Sequence, residues 1–103
     1  MARRASTRIP IRLSVILSSG SRVYPGTVKN ISEKGMFIST DVAGLAADSL
    51  FDITIPLKED VLHVPGKLVR LSKINGSYNG LGVELMEPPQ DYLDFVESLL
   101  YVL

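Results

Sequence analysis

The chain has no cysteine and a single histidine, His63. The first absence removes disulfides, thiolate metal sites and a cysteine nucleophile. Together they leave too few soft ligands for a transition-metal centre. His63 falls inside a predicted strand, where a structural or surface role is expected. Long hydrophobic runs are also missing. None approaches the roughly 20 residues that a membrane-spanning helix requires, and no apolar segment of signal-peptide type follows the charged N-terminus. The expectation is a cytoplasmic chain with no membrane insertion. There is no G-x-S-x-G elbow, no phosphate-binding glycine loop ahead of a helix, and no calcium-loop spacing among the acidic residues. Neither a catalytic site nor a metal site is expected, so the chain reads as a binding protein rather than an enzyme.

One further absence is informative. Residues 1–32 contain no acidic side chain, yet hold Arg3, Arg4, Arg8, Arg12, Arg22 and Lys29. Residues 33–103 carry five basic groups against eleven acidic ones. The net charge of zero therefore hides a cationic N-terminal third that should attract anions. The competing explanation is a basic tail lying on the protein's own acidic face.

What is present is period-two alternation. In "IPIRLSVIL", Ile11, Leu13, Val15 and Leu17 share one face. "LFDITIPL" and "LGVELM" repeat the pattern, as half-buried antiparallel strands do. Strands are predicted at 11–18, 22–30, 35–40, 50–56, 62–73 and 78–86. Ser19-Gly20, Asn75-Gly76 and Asn79-Gly80 are turn signals; Pro25-Gly26 and Pro65-Gly66 suggest bends or bulges. Residues 41–49 read as a loop or one helical turn. With 103 residues the chain is expected to form one domain: a basic arm over 1–10, a barrel over 11–86 and a helix over 89–103. Closing six strands into an antiparallel barrel would remove exposed edges. The helix is predicted from apolar residues at Tyr92, Phe95, Val96, Leu99, Leu100 and Leu103, with Asp91 as its N-cap. That stripe should close one end of the sheet, although its apolar end leaves a partner surface or a homodimer open.

Two short stretches carry chemistry. In "RRASTR", Arg4 and Arg8 lie four apart, about 13 Å if extended at roughly 3.3 Å per residue. Pro10 stops a helix, and Ile9 before it is pushed to extended geometry. Arginine's planar fork suits a phosphate or the O6/N7 edge of guanine. In "NISEKG", Asn30 can donate and accept, and Ser32 is expected on the same strand face two residues on. Gly35 permits a positive φ or close approach of a flat ligand. Taken alone, this stretch fits a hairpin corner better than a binding site.

Together, Arg-x-x-x-Arg followed by Asn-x-Ser-x-x-Gly in a small β-rich chain resembles the PilZ domain family. "GTVKNISEKGMFIST" resembles the family's motif segment along its length, and "GLGVELMEPP" its last strand. The resemblance implies a six-stranded antiparallel barrel with a C-terminal helix that binds cyclic di-GMP. It implies that Arg4 and Arg8 grip phosphate and guanine, with Arg3 assisting. Asn30 and Ser32 would bond the ligand from the barrel wall, and Gly35 would keep the approach open. Ordering of the arm would then signal to an effector protein, whose identity is not implied. Two other functions compete: a PilZ-type protein-interaction module that binds no nucleotide, and a single-stranded nucleic-acid binder. The last would need a stacking platform from Tyr24, Phe37 and Tyr78. Lacking an aromatic cluster and a net positive charge, the chain is not expected to bind a nucleic-acid polymer.

Overall fold

A computed structural model describes residues 7–41 and 48–102, the side chain of Val102 excepted. Arg3, Arg4, Leu103 and most of the loop expected at 41–49 lie outside the described residues. Six strands run in the order β1 (Ile9–Ser19), β2 (Arg22–Ile31), β3 (Gly35–Ser39), β4 (Leu50–Pro56), β5 (Val61–Ile74) and β6 (Ser77–Leu85), followed by helix α1 (Gln90–Val102). They form a closed barrel in the spatial order β1-β2-β3-β6-β5-β4, with every pairing antiparallel and β4 returning to β1. This is the predicted fold, with strand limits within two residues of those expected.

Alternation explains the barrel. Val15 and Leu17 of β1 and Ile53 and Ile55 of β4 point inward and are buried, and a register shift between Val28 and Asn30 lets both Val28 and Ile31 of β2 do the same. Tight connections follow the turn signals. Asn75 and Gly76 both take positive φ (54° and 86°), as a two-residue hairpin requires. Other signals misled. Asn79-Gly80 lies within β6 rather than at a turn. A Cβ on Gly80 would come within 2.6 Å of the Phe37 ring, so the glycine makes room for a cross-strand aromatic. Pro25-Gly26 and Pro65-Gly66 sit in regular ladders, and the register shifts fall elsewhere, including between Pro10 and Leu13 and between Val28 and Asn30.

Two boundaries bear on the site. β1 begins at Ile9, so the arm expected over 1–10 ends at residue 8. The cause is burial: Ile9 is 2% exposed within the core and pairs with Ile31, while Pro10 pairs with Asn30. An isoleucine buried this fully contributes about 1.5–3 kcal/mol, enough to hold the start of the strand. The helix begins one residue before Asp91. Pro89 stands at its N-terminus, and its carbonyl accepts from the N–H groups of Tyr92 (3.1 Å) and Leu93 (3.2 Å). Asp91 is therefore not the cap; it lies in the first turn, where its charge favours the helix dipole.

Tyr92 and Val96 are buried in the core, with Leu93, Phe95 and Leu99 packed against it. The near half of the expected apolar stripe is thus seated on the barrel. Leu100 and Tyr101 are exposed. No helix among the described residues is long and apolar enough to cross a membrane.

Candidate functional site

The corner between β2 and β3 is built from its own side chains and backbone. The Ser32 N–H donates to the Gly35 carbonyl at 2.9 Å. In return Ser32 Oγ accepts from the backbone N–H groups of Lys34 (3.2 Å) and Gly35 (3.1 Å). This is the local hydroxyl-to-backbone motif that fixes a turn, and it accounts for the spacing Ser-x-x-Gly. β2 ends at Ile31, so strand alternation does not extend to Ser32. Its side chain is turned into the corner and only 2% of the residue is exposed, instead of sharing an outward face with Asn30.

The corner is also tied to the helix. The Tyr92 hydroxyl donates to the Ser32 carbonyl at 2.6 Å in a buried contact. Burial pushes the Tyr92 phenol well above its ordinary value of 10.0, against the opposing charge of Arg8 and with help from that of Glu33. Tyr92→Phe keeps the ring but leaves a buried carbonyl unpaired. It is expected to cost about 1–2 kcal/mol and to lower the melting temperature at neutral pH. The sign of the pH dependence follows from the raised value. Below pH 10 the phenol is neutral in both states and its contribution is intact. Above that, the unfolded chain ionises first, and stability falls by about 1.4 kcal/mol per pH unit. Thermal melts of the two proteins should therefore converge as pH rises past 10, the wild type losing more.

Arg8 stands immediately before the anchored Ile9. Its Nη1–H donates to Asn30 Oδ1 at 2.8 Å. Its Nη2 lies 3.6 Å from the point where a Cβ on Gly35 would sit. The structure thus brings together Arg8, Asn30, Ser32 and Gly35, residues separated by up to 27 positions. Gly35 itself does not take a positive φ. A Cβ there would come within 2.6 Å of the Val83 carbonyl oxygen, so the glycine is required by the close approach of β3 to β6.

Beside this cluster lies an open cleft of about 500 Å³ across β3, β6 and β5. Arg8, Ser32 and Gly35 line one side. Lys34, Val69, Arg70 and Glu84, none singled out in the sequence, line the rest. Three cations face one carboxylate, an excess of two positive charges that raises the local concentration of anions. Arg70 escaped notice because it lies in the acidic part of the chain. Only the β5–β6 pairing carries it to the cleft.

The remaining candidates are elsewhere. His63 is exposed on β5, its Nδ1 3.3 Å from Thr54 Oγ1 on the adjacent strand. Tyr24 is buried, Phe37 lies across Gly80, and Tyr78 lies beneath Lys73. With Tyr24 inside, these three rings do not make one exposed stacking surface. Among the described residues, no group of three or more histidine or acidic side chains could hold a metal ion.

Fold and cleft together define a small six-stranded barrel with an anion-attracting surface at its β2–β3 corner. The sequence matches the PilZ domain family over residues 2–101, and the chain belongs to that family. Several solved structures are similar. The Bacillus subtilis inhibitor of motility MotI aligns with a TM-score of 0.79 at 17% identity, over 98% of this chain and 51% of that one. The chain thus spans about half the length of MotI. The PilZ domain of CeSA from a cellulose-synthesising bacterium gives 0.71 at 21% identity, over 93% and 96% of the two chains. The PilZ domain of YcgR from Escherichia coli, solved with c-di-GMP, gives 0.72 at 16% identity, over 99% and 92%. No curated protein matches the chain in sequence.

Proposed function

We propose that this protein is a receptor for cyclic di-GMP that signals to a partner protein. The observation that carries this is the meeting of Arg8 with Asn30 at the rim of a cationic cleft. One residue from each half of the family motif thereby meets the other. Membership of the PilZ family and likeness to a domain solved with c-di-GMP support the same conclusion.

In this scheme Arg8, with Arg3 and Arg4 from the preceding segment, holds phosphate and guanine. Asn30 orients Arg8 and offers its amide to the base. Ser32 contributes through the shape of the corner, and Gly35 by keeping β3 close to β6. The chain carries no catalysis and acts in the cytoplasm, where ligand capture by the arm changes a surface that an effector reads. The corner's bond to Tyr92 gives that change a route to the helix and its exposed Leu100 and Tyr101. Titration calorimetry with cyclic di-GMP tests the first step, saturable binding being the expected result. No measurable binding at tens of micromolar would overturn the proposal in favour of a nucleotide-free interaction module. Light scattering with and without ligand would report any homodimer.

A further inference from the structure

Arg70 on β5 is exposed and lines the cleft. Its side chain forms no hydrogen bond or ion pair among the described residues, even though Glu84 shares the cleft. An arginine without a partner on an open surface would ordinarily sample many rotamers. Here the stem is laid against the sheet. Arg70 pairs with Gly82 of β6, and a Cβ on Gly82 would come 3.3 Å from Arg70 Cβ and 3.5 Å from its Nε. Gly82 has no positive φ, so its lack of a side chain provides space and not backbone freedom.

On the other side of β6, Gly35 of β3 leaves the space over which Arg8 stands. β3 and β5 are the two neighbours of β6, two strand spacings apart, about 10 Å. The two guanidinium groups therefore flank a floor bare of side chains at Gly35 and Gly82. Lys34 and Glu84 are the other charged groups facing that floor, and their charges offset. What remains is one positive charge from each arginine, matching a ligand with two separated anionic groups.

We propose that Arg70 is a second gripping residue of this cleft, holding the phosphate of a cyclic dinucleotide that Arg8 does not hold. This rests on the receptor proposed above. Calorimetric titration of cyclic di-GMP into the wild type, Arg70→Gln, Arg70→Lys and Gly82→Ala tests it, with melting curves as the check on folding. Arg70→Gln should lose about tenfold or more in affinity, one charge-assisted contact's worth. Its binding should also depend less steeply on salt than that of the wild type. Arg70→Lys should recover part of the loss. Gly82→Ala should melt like the wild type yet bind severalfold more weakly, because the added methyl displaces the Arg70 stem. Binding of Arg70→Gln within twofold of the wild type, at equal salt dependence, would overturn the role of Arg70 and leave the receptor intact. A wild type that does not bind would overturn the receptor, and this inference with it.

Discussion

Arg8→Ala is expected to lower the affinity for cyclic di-GMP by between about tenfold and a hundredfold while leaving the barrel folded. The range follows from one charge-assisted hydrogen bond of about 1.5–3 kcal/mol, at 1.4 kcal/mol per factor of ten. The geometry favours a loss of this size. Arg8 precedes the buried Ile9, so its backbone has little ordering left to undergo on binding. Its guanidinium is already held by Asn30 Oδ1 at 2.8 Å, over the space left by Gly35. That contact is exposed, so removing it should cost the fold little. Asn30→Ala should weaken binding as well, by releasing Arg8 and removing an amide. Because the two side chains touch, their effects should not add: the double variant should bind more tightly than the product of the single losses predicts. Affinity for Arg8→Ala unchanged within error would mean that Arg8 is not part of the grip.

Much of this was legible in the sequence because half-buried strands report their inward face directly. Ile53 and Ile55 alternate with Asp52 and Thr54 and line the core, as do Val15 and Leu17, although the outward residue between them is Ile16. Glycine was harder to interpret. Gly76 is at a turn and takes positive φ, but Gly35, Gly80 and Gly82 sit in strands where a neighbouring carbonyl, ring or arginine stem occupies the space of a side chain. A single sequence records that a side chain is missing and not which neighbour excludes it. The site shows the same division. Arg8 and Asn30 were found through a pattern, and the structure joins them. Ser32 departs from the face that strand alternation predicts because β2 ends one residue before it, at Ile31. Arg70 and the Tyr92 hydroxyl were invisible, because each acts on residues fixed by distant pairing: Gly82 across β5–β6, and Ser32 sixty positions earlier.

Taken together, the contacts make the β2–β3 corner a junction. Its Ser32 carbonyl is bonded by the helix, its Lys34 carbonyl accepts from Leu85 N–H at 2.8 Å, and Gly35 adjoins both Val83 and Arg8. On the proposed function, a ligand beside Arg8 would push on a corner that touches β6 and α1 at once. Signal transfer would then need no large movement: a small rotation of this corner would alter the seating of Tyr92 and with it the exposed end of the helix.

Gly35→Ala tests the rigidity on which that transfer depends, and it should have the largest effect on stability of any single methyl added near the cleft. The new Cβ would lie 2.6 Å from the Val83 carbonyl oxygen. That distance is shorter than real contacts allow, and the obstacle is backbone held in the β3–β6 ladder, not the end of a flexible side chain. Relief requires the two strands to separate. The separation strains the Met36–Val83 pairing and moves the Ser32 hydroxyl relative to its two N–H partners. Overpacking of this kind costs about 1–3 kcal/mol. For a domain near 100 residues, a loss of 2–3 kcal/mol lowers the melting temperature by roughly 10–20 °C. Ligand affinity should fall too, since Arg8 Nη2 lies 3.6 Å from the same point. Gly82→Ala is the natural contrast, because its methyl would meet Arg70 Cβ at 3.3 Å, a contact that a shift of a few tenths of an ångström relieves. Thermal melts of the two variants should therefore separate widely, with Gly35→Ala far below the wild type and Gly82→Ala beside it. Coincident melting curves would mean that β3 can shift away from β6 at little cost, and the corner would then be too compliant to carry a signal from ligand to helix.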